Sequence, residues 1–252
     1  MSFPDDGLTR DGFLGGQITV CQPKSGYRAA TDPVFLAASV PAERGQTVLE
    51  LGCGAGVASL CLGARVPGLE LTGVELQADY AELAVRNGRD NGIAFDVVNA
   101  DIRTLPMAIR SRTFDHVIVN PPYFEQFRGT GASETGRDTA MHEETSLADW
   151  IDTGIRRLCP GGVLSVIHLA GRLPALLAEC DARVGNLAIK PLSPRTGRPA
   201  GRVILRARKG SKGPGLLHAP LVIHRGASHL RDGESYTRIV EGILRGGQPL
   251  PF

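Results

Sequence analysis

The chain of 252 residues has no Cys-x-x-C pair, and its five cysteines (Cys21, Cys53, Cys61, Cys159, Cys180) are an odd number. That usage argues against a disulfide framework and against a zinc site, and it fits a reducing cytoplasm. No apolar run approaches the ~20 residues that cross a bilayer. The opening stretch MSFPDDGLTRDG is polar and acidic and has neither the basic nor the apolar region of a signal peptide. Repeats and low-complexity tracts are missing as well. The last absence is local. From Ala182 to Arg231 there are 11 Lys and Arg and no Asp or Glu, whereas Met1 to Asp181 carries 15 basic and 23 acidic residues. An acid-free segment of that length suits a polyanionic partner, or a solvated face balanced by an acidic neighbour.

What is present is an alternation of strands and helices. TVLEL (Thr47 to Leu51), LELTGVEL (Leu69 to Leu76), AFDVVNAD (Ala94 to Asp101), FDHVIVN (Phe114 to Asn120) and GVLSVIHL (Gly162 to Leu169) read as strands. Helical patterns lie between them, including ADYAELAVRNGRDNG with its Asn91-Gly92 stop and LADWIDTGIRRL with Thr145 or Ser146 as cap. That rhythm implies a mostly parallel α/β sheet with helices on both faces. NLAIKPL, RVILRAR and APLVIH read as late strands joined without helices, which suggests an antiparallel edge. Upstream, Asp32-Pro33 reads as an N-cap followed by proline at the first helical position. The expected organisation is one domain, with residues 1–45 an N-terminal extension and residues 46–252 the catalytic core.

LELGCGAG sets Gly52, Gly54 and Gly56 between a strand and a helix. Glycine lets the backbone approach a ligand, and the helix N-terminus offers free N–H groups. Glu75 ends the next strand, where a carboxylate can accept from both ribose hydroxyls, as either NAD or S-adenosylmethionine would require. Glu50 before the loop suits a cationic amino-acid ligand better than a pyrophosphate. Asp101, at the end of the third strand, is placed to bond an adenine amino group. Cys53 reads as a small packing residue.

The fourth strand ends in Asn120-Pro121-Pro122-Tyr123. An amine must turn its lone pair out of conjugation before attacking a methyl sulfonium. The Asn120 side-chain oxygen and the Pro121 carbonyl can each accept one amine hydrogen, proline keeps that carbonyl rigid, and Tyr123 offers a face to a planar base. No metal is needed, because the leaving group is a neutral thioether. His168 and His142 read as structural hydrogen-bonders rather than catalysts.

Gly52-x-Gly54-x-Gly56, Glu75, Asp101 and the N-P-P-Y run together resemble the class I S-adenosylmethionine-dependent methyltransferases that modify an exocyclic or amide nitrogen. The wider chain, with QPKSGYRAATDPVFLA upstream and RDTAMHEE downstream, resembles the bacterial adenine N6-methyltransferases of valine tRNA over roughly Gly15 to His224. Pro33 and Phe35 depart from the more apolar helix usual there, and the tail after His224 is only loosely similar. The resemblance implies a Rossmann-like fold with a seven-stranded, mostly parallel sheet, S-adenosylmethionine as cofactor and tRNA as substrate. The basic segment then holds phosphates through Arg195, Arg198 and Arg202, with Lys24 and Arg28 adding contacts. Arg206 and Arg208, alternating on a strand, should share a face. A protein glutamine N5-methyltransferase or an rRNA guanine N2-methyltransferase shares the N-P-P-Y chemistry. An RNA-binding module with a relic cofactor fold would bind RNA without turnover, and a nicotinamide dehydrogenase has no use for N-P-P-Y.

Overall fold

Hydrophobic alternation along each strand builds two cores, one on each face of a central sheet. Val48 and Ile118 face one layer, while their sequence neighbours Leu49, Val117 and Val119 face the other. The computed structural model describes residues 3–123, 145–226 and 235–252. RDTAMHEE, His142 and Phe124 lie outside the described residues.

An antiparallel hairpin, β1 (Leu8–Phe13) and β2 (Ile18–Pro23), comes first, followed by α1 (Asp32–Ser39). The alternating core then runs β3 (Thr47–Leu51), α2 (Val57–Arg65), β4 (Glu70–Glu75), α3 (Ala78–Asp90), β5 (Phe95–Asn99), the short α4 (Met107–Arg110) and β6 (Phe114–Val119). It continues with α5 (Leu147–Arg157), β7 (Leu158–Leu169), α6 (Leu173–Ala178), β8 (Val184–Ser193) and β9 (Arg202–Lys209). Two-residue strands β10 (Leu216–Leu217) and β11 (Leu221–Val222) and helix α7 (Arg238–Gly246) close the chain.

The sheet order is β10-β8-β9-β7-β6-β3-β4-β5, with β11 also on β8. Seven strands of five or more residues form the expected sheet, and two short ones extend its edge, bringing the total to nine. β9 runs antiparallel to both β7 and β8, which is the antiparallel edge. APLVIH contributes only Leu221–Val222 to the sheet. β7 begins at Leu158, before the Pro160-Gly161-Gly162 expected to separate helix from strand.

Side-chain caps fix several junctions. Ser146 accepts from the Asp149 N–H, and Asp149 accepts from the Ser146 N–H, a capping box at the start of α5. Asn91 ends α3 and reaches across to the Thr19 backbone at 2.9 and 2.8 Å. Asn87, fully buried, bonds Cys21 N–H and C=O and the Ala55 C=O. The hairpin is thereby tied to α3 and to the loop after β3.

Candidate active site

Strand register decides which residues meet at the C-terminal edge of the sheet. Leu51 pairs with Val74 on one side and Val119 on the other, so the residues that follow, Gly52, Glu75 and Asn120, emerge side by side. Strand order reverses at β3, and ligands bind in the crevice at such a point. A cavity of about 490 Å³ opens there, within the usual size of a small-molecule site. Gly52, Gly54, Glu75 and Asp101 line one part of it, and Asn120, Pro121, Pro122 and Tyr123 another.

The Glu75 carboxylate is held by the Gly54 N–H (2.8 Å) and the Gln77 N–H (2.9 Å), one to each oxygen. Asp101 accepts from the Arg103 backbone N–H at 2.8 Å and pairs with its guanidinium at 2.6 Å, and Arg103 holds its carboxyl below the usual range. Gly52 sits at φ +66°, and a Cβ there would lie 2.6 Å from the Trp150 ring, so the loop tolerates no side chain at that point. Cys53 is buried, its thiol raised well above the ordinary range by desolvation, as a packing residue should be.

At the other end, the Tyr123 hydroxyl lies 2.9 Å from Asp32 Oδ2 and 3.0 Å from Asn120 Oδ1. Arg202 Nε donates to the same Asp32 oxygen at 2.8 Å, and its guanidinium stands over the Tyr123 ring, 4.8 Å from the centroid. His168 lies 5.1 Å from that ring. Its Nδ1 accepts from the Leu169 N–H, and burial lowers its pKa to about 4, so it is a neutral structural ring as expected. Burial and the charge of Asp32 push the Tyr123 pKa up, which keeps the hydroxyl protonated.

Several expectations are corrected. Glu50 does not line the cavity. It is 3% exposed and accepts from the Ser59 N–H (3.0 Å) and hydroxyl (2.5 Å). Gly56 has no side chain with which to cap α2, and Glu50 does so from the strand beneath. Gly56 itself serves packing, since a Cβ there would meet Phe95 at 2.9 Å. Arg195 is only 8% exposed, and its guanidinium donates to the Arg225 and Gly226 carbonyls, so it is no surface phosphate ligand. Arg28 is paired to Asp11 at 2.8 Å, and Arg202 is paired to Asp32. Lys24 and Arg198 are exposed. Arg206 and Arg208 do share a face of β9, bonding the Ser39 and Gly161 carbonyls. Asp32 is not the N-cap of α1 but its first residue, and its carboxylate points into the site rather than onto the helix.

A family model described as the methyltransferase small domain matches residues 29–168, over half of the chain. The chain belongs to this methyltransferase family. A relative from Shewanella baltica (strain OS195), named tRNA1(Val) (adenine(37)-N6)-methyltransferase, is 33% identical over 199 residues, covering 76% of this chain and 82% of its own length. A Proteus mirabilis protein of the same name is 29% identical over 177 residues, covering 69% and 67% of the two chains. Among solved structures, a predicted O-methyltransferase from Agrobacterium tumefaciens superposes with TM-score 0.70 at 29% identity, covering 86% of this chain and 97% of its own.

In this small-domain methyltransferase the cavity fits S-adenosylmethionine. A side-chain-free loop lies at Gly52 and Gly54, and two carboxylates, Glu75 and Asp101, stand at successive strand ends. The cofactor is S-adenosylmethionine. Among the described residues no cluster of three or more His, Cys, Asp or Glu could hold a metal, and no helix is long and apolar enough to cross a membrane. Sequence reading missed Tyr27, Asp32 and Trp150 as cavity residues. Tyr27 lies against Gly54, and its hydroxyl is 3.4 Å from Asn120 Nδ2. The signal for Tyr27 was its place in the GYRAATD segment. Trp150 had only its position in the first turns of a helix whose other apolar residues are core.

Proposed function

We propose that the chain transfers a methyl group from S-adenosylmethionine to the exocyclic N6 of an adenine in tRNA, the anticodon-loop adenine of valine tRNA being the acceptor indicated by the relatives' names. It would act in the cytoplasm. The observation that carries the reading is the convergence of Asn120, Pro121 and Tyr123 with Gly52, Gly54, Glu75 and Asp101 on one cavity.

The cofactor supplies an electrophilic methyl on a sulfonium. Glu75 binds the ribose hydroxyls and Asp101 the adenine amino group. Asn120 Oδ1 and the Pro121 carbonyl each take one hydrogen of the acceptor amine, which fixes the nitrogen while it rehybridises. Two acceptors match the two hydrogens of an NH2 group; a hydroxyl acceptor would leave one of them unused. A base stacking on Tyr123 uses the face opposite Arg202. No side chain need remove a proton before attack, in keeping with a neutral His168 and a protonated Tyr123.

The test is transfer of a labelled methyl group to tRNA lacking the modification, followed by nucleoside mass spectrometry. N6-methyladenosine at one anticodon-loop position is expected. Label on protein amide and none on RNA would overturn the reading. Asn120→Ala is expected to lower kcat by about 10²–10³-fold, the scale for losing a transition-state acceptor, with cofactor affinity nearly unchanged. Equal loss of both would make Asn120 a structural residue.

A further inference from the structure

The hydrogen bonds around Asn120 cannot all form as the atoms are placed. Tyr123 Oη lies within bonding distance of two oxygens, Asp32 Oδ2 at 2.9 Å and Asn120 Oδ1 at 3.0 Å, but a phenol has one proton. Asp32 is a carboxylate paired with Arg202 at 2.8 Å and accepts only. Asn120 is different: its amide can turn over, exchanging oxygen for NH2 in the same volume. The one arrangement that satisfies every group has Tyr123 donating to Asp32 and Asn120 presenting its NH2 to the Tyr123 oxygen. Asn120 Oδ1 then lies on the Tyr27 side, 3.4 Å from that hydroxyl, which can donate to one of its two lone pairs. The other lone pair is left for the acceptor amine.

We propose that Asp32 is a positioning residue: by taking the only proton of the Tyr123 hydroxyl, it turns the Asn120 amide so that its oxygen faces the acceptor amine. Arg202 belongs to the same device. It bonds the Asp32 oxygen from one side and stands over the Tyr123 ring, which fixes both partners. The order of donation is Arg202 to Asp32, Tyr123 to Asp32, Asn120 to Tyr123, with each donor used once. This inference rests on the amine-transfer reading, and its test separates the two: the wild-type protein reports on the reaction, and the variants report on the polarity.

Three variants and their combinations decide it. Asp32→Ala removes the acceptor, so the Tyr123 proton turns to Asn120 Oδ1 and holds the amide the wrong way round. A fall in kcat of about 100-fold is expected, the scale for losing one transition-state acceptor. Affinity for S-adenosylhomocysteine, read by calorimetry, should stay within about twofold, since Asp32 acts on Asn120 and not on the residues assigned to the cofactor. Asp32→Asn keeps an oxygen where Oδ2 stood, still able to accept from both Arg202 and Tyr123, and should retain activity within about fivefold. Tyr123→Phe removes the contested proton. In that background Asp32→Ala should cost less than about threefold more, a strong non-additivity. A readout independent of turnover is hydrogen exchange of the Asn120 side-chain NH2 by NMR, protected in the ligand-free wild type and faster in Asp32→Ala and Tyr123→Phe. Equal loss in Asp32→Asn and Asp32→Ala would show that the charge acts, as a base or toward Arg202, and would overturn the proposal. So would an undiminished cost of Asp32→Ala in the Tyr123→Phe background, or unprotected Asn120 protons in the wild type.

Discussion

Glu50 is where a single residue sets a pH dependence. Burial, offset in part by its two bonds from Ser59, raises its pKa from 4.5 to about 8. A carboxyl with a higher pKa folded than unfolded holds its proton more tightly in the native state. Its contribution is therefore most favourable below the unfolded value and is lost as pH rises from 4.5 toward 8. The slope approaches ~1.4 kcal/mol per pH unit within that window, the limit for one proton. Urea unfolding across the window should show stability falling with pH in the wild type, and a flatter profile in Glu50→Gln, which keeps an acceptor for Ser59. A wild-type profile without that fall would refute the assignment. Residue by residue, the sequence is legible where the cavity is lined by a motif and opaque where it is lined through tertiary geometry. Asn120 and Gly52 are named by their neighbours in the chain. Asp32 is hidden because an acid before a helix proline is what a cap looks like, and its partner Arg202 is 170 residues away. Glu50 misleads in the opposite sense: it caps a helix by accepting from Ser59, nine residues downstream, a distance that no local capping spacing describes.

At the level of elements, strand identity followed from alternation and the positions of the cavity-lining residues followed from strand ends. Because Leu51 pairs with both Val74 and Val119, three separate loops open at one height, and that register is a tertiary fact absent from any window of sequence. Boundaries were less legible. β7 starts four residues ahead of Gly162, because Leu158 already pairs with Phe114 of β6; Cys159 to Gly162 then bulge out, with Gly161 at φ +80°, and pairing resumes at Val163. The attachment of the β1–β2 hairpin was not legible, since it depends on a polar residue of α3. Asn87 is 0% exposed and serves three backbone groups at 2.8, 3.0 and 2.9 Å. Asn87→Ala should destabilise the protein by about 2–3 kcal/mol, since it leaves buried peptide groups without partners. The Cys21 amide should lose hydrogen-exchange protection before the β3 and β6 amides do, because the hairpin is released while the sheet holds. Uniform loss of protection would mean that hairpin and sheet unfold together.

Across the whole molecule, charge separates into cations bound inside the fold and cations free to meet a polyanion. The acid-free segment from Ala182 to Arg231 reads as one block of 11 basic residues in sequence. In three dimensions Arg195 is committed to carbonyls and Arg202 to Asp32. Arg198 is exposed without an ion pair among the described residues, as are Lys24 and Arg172, the last of which follows β7 at the cavity edge of the sheet. Residue type cannot separate these groups, because the sorting is done by partners brought from distant strands. Salt dependence of tRNA affinity can separate them. Each phosphate contact removed should lower the slope of log K against log salt by about 0.9. Arg198→Ala, Lys24→Ala and Arg172→Ala should each reduce the slope by about that amount, with a similar loss of affinity for every RNA sequence. Arg195→Ala should leave the slope unchanged and lower Tm instead, since it removes a buried guanidinium that ties down the Arg225 and Gly226 carbonyls and no surface charge. A reduced slope in Arg195→Ala at unchanged Tm would return that residue to the RNA surface and break the division between bound and free cations.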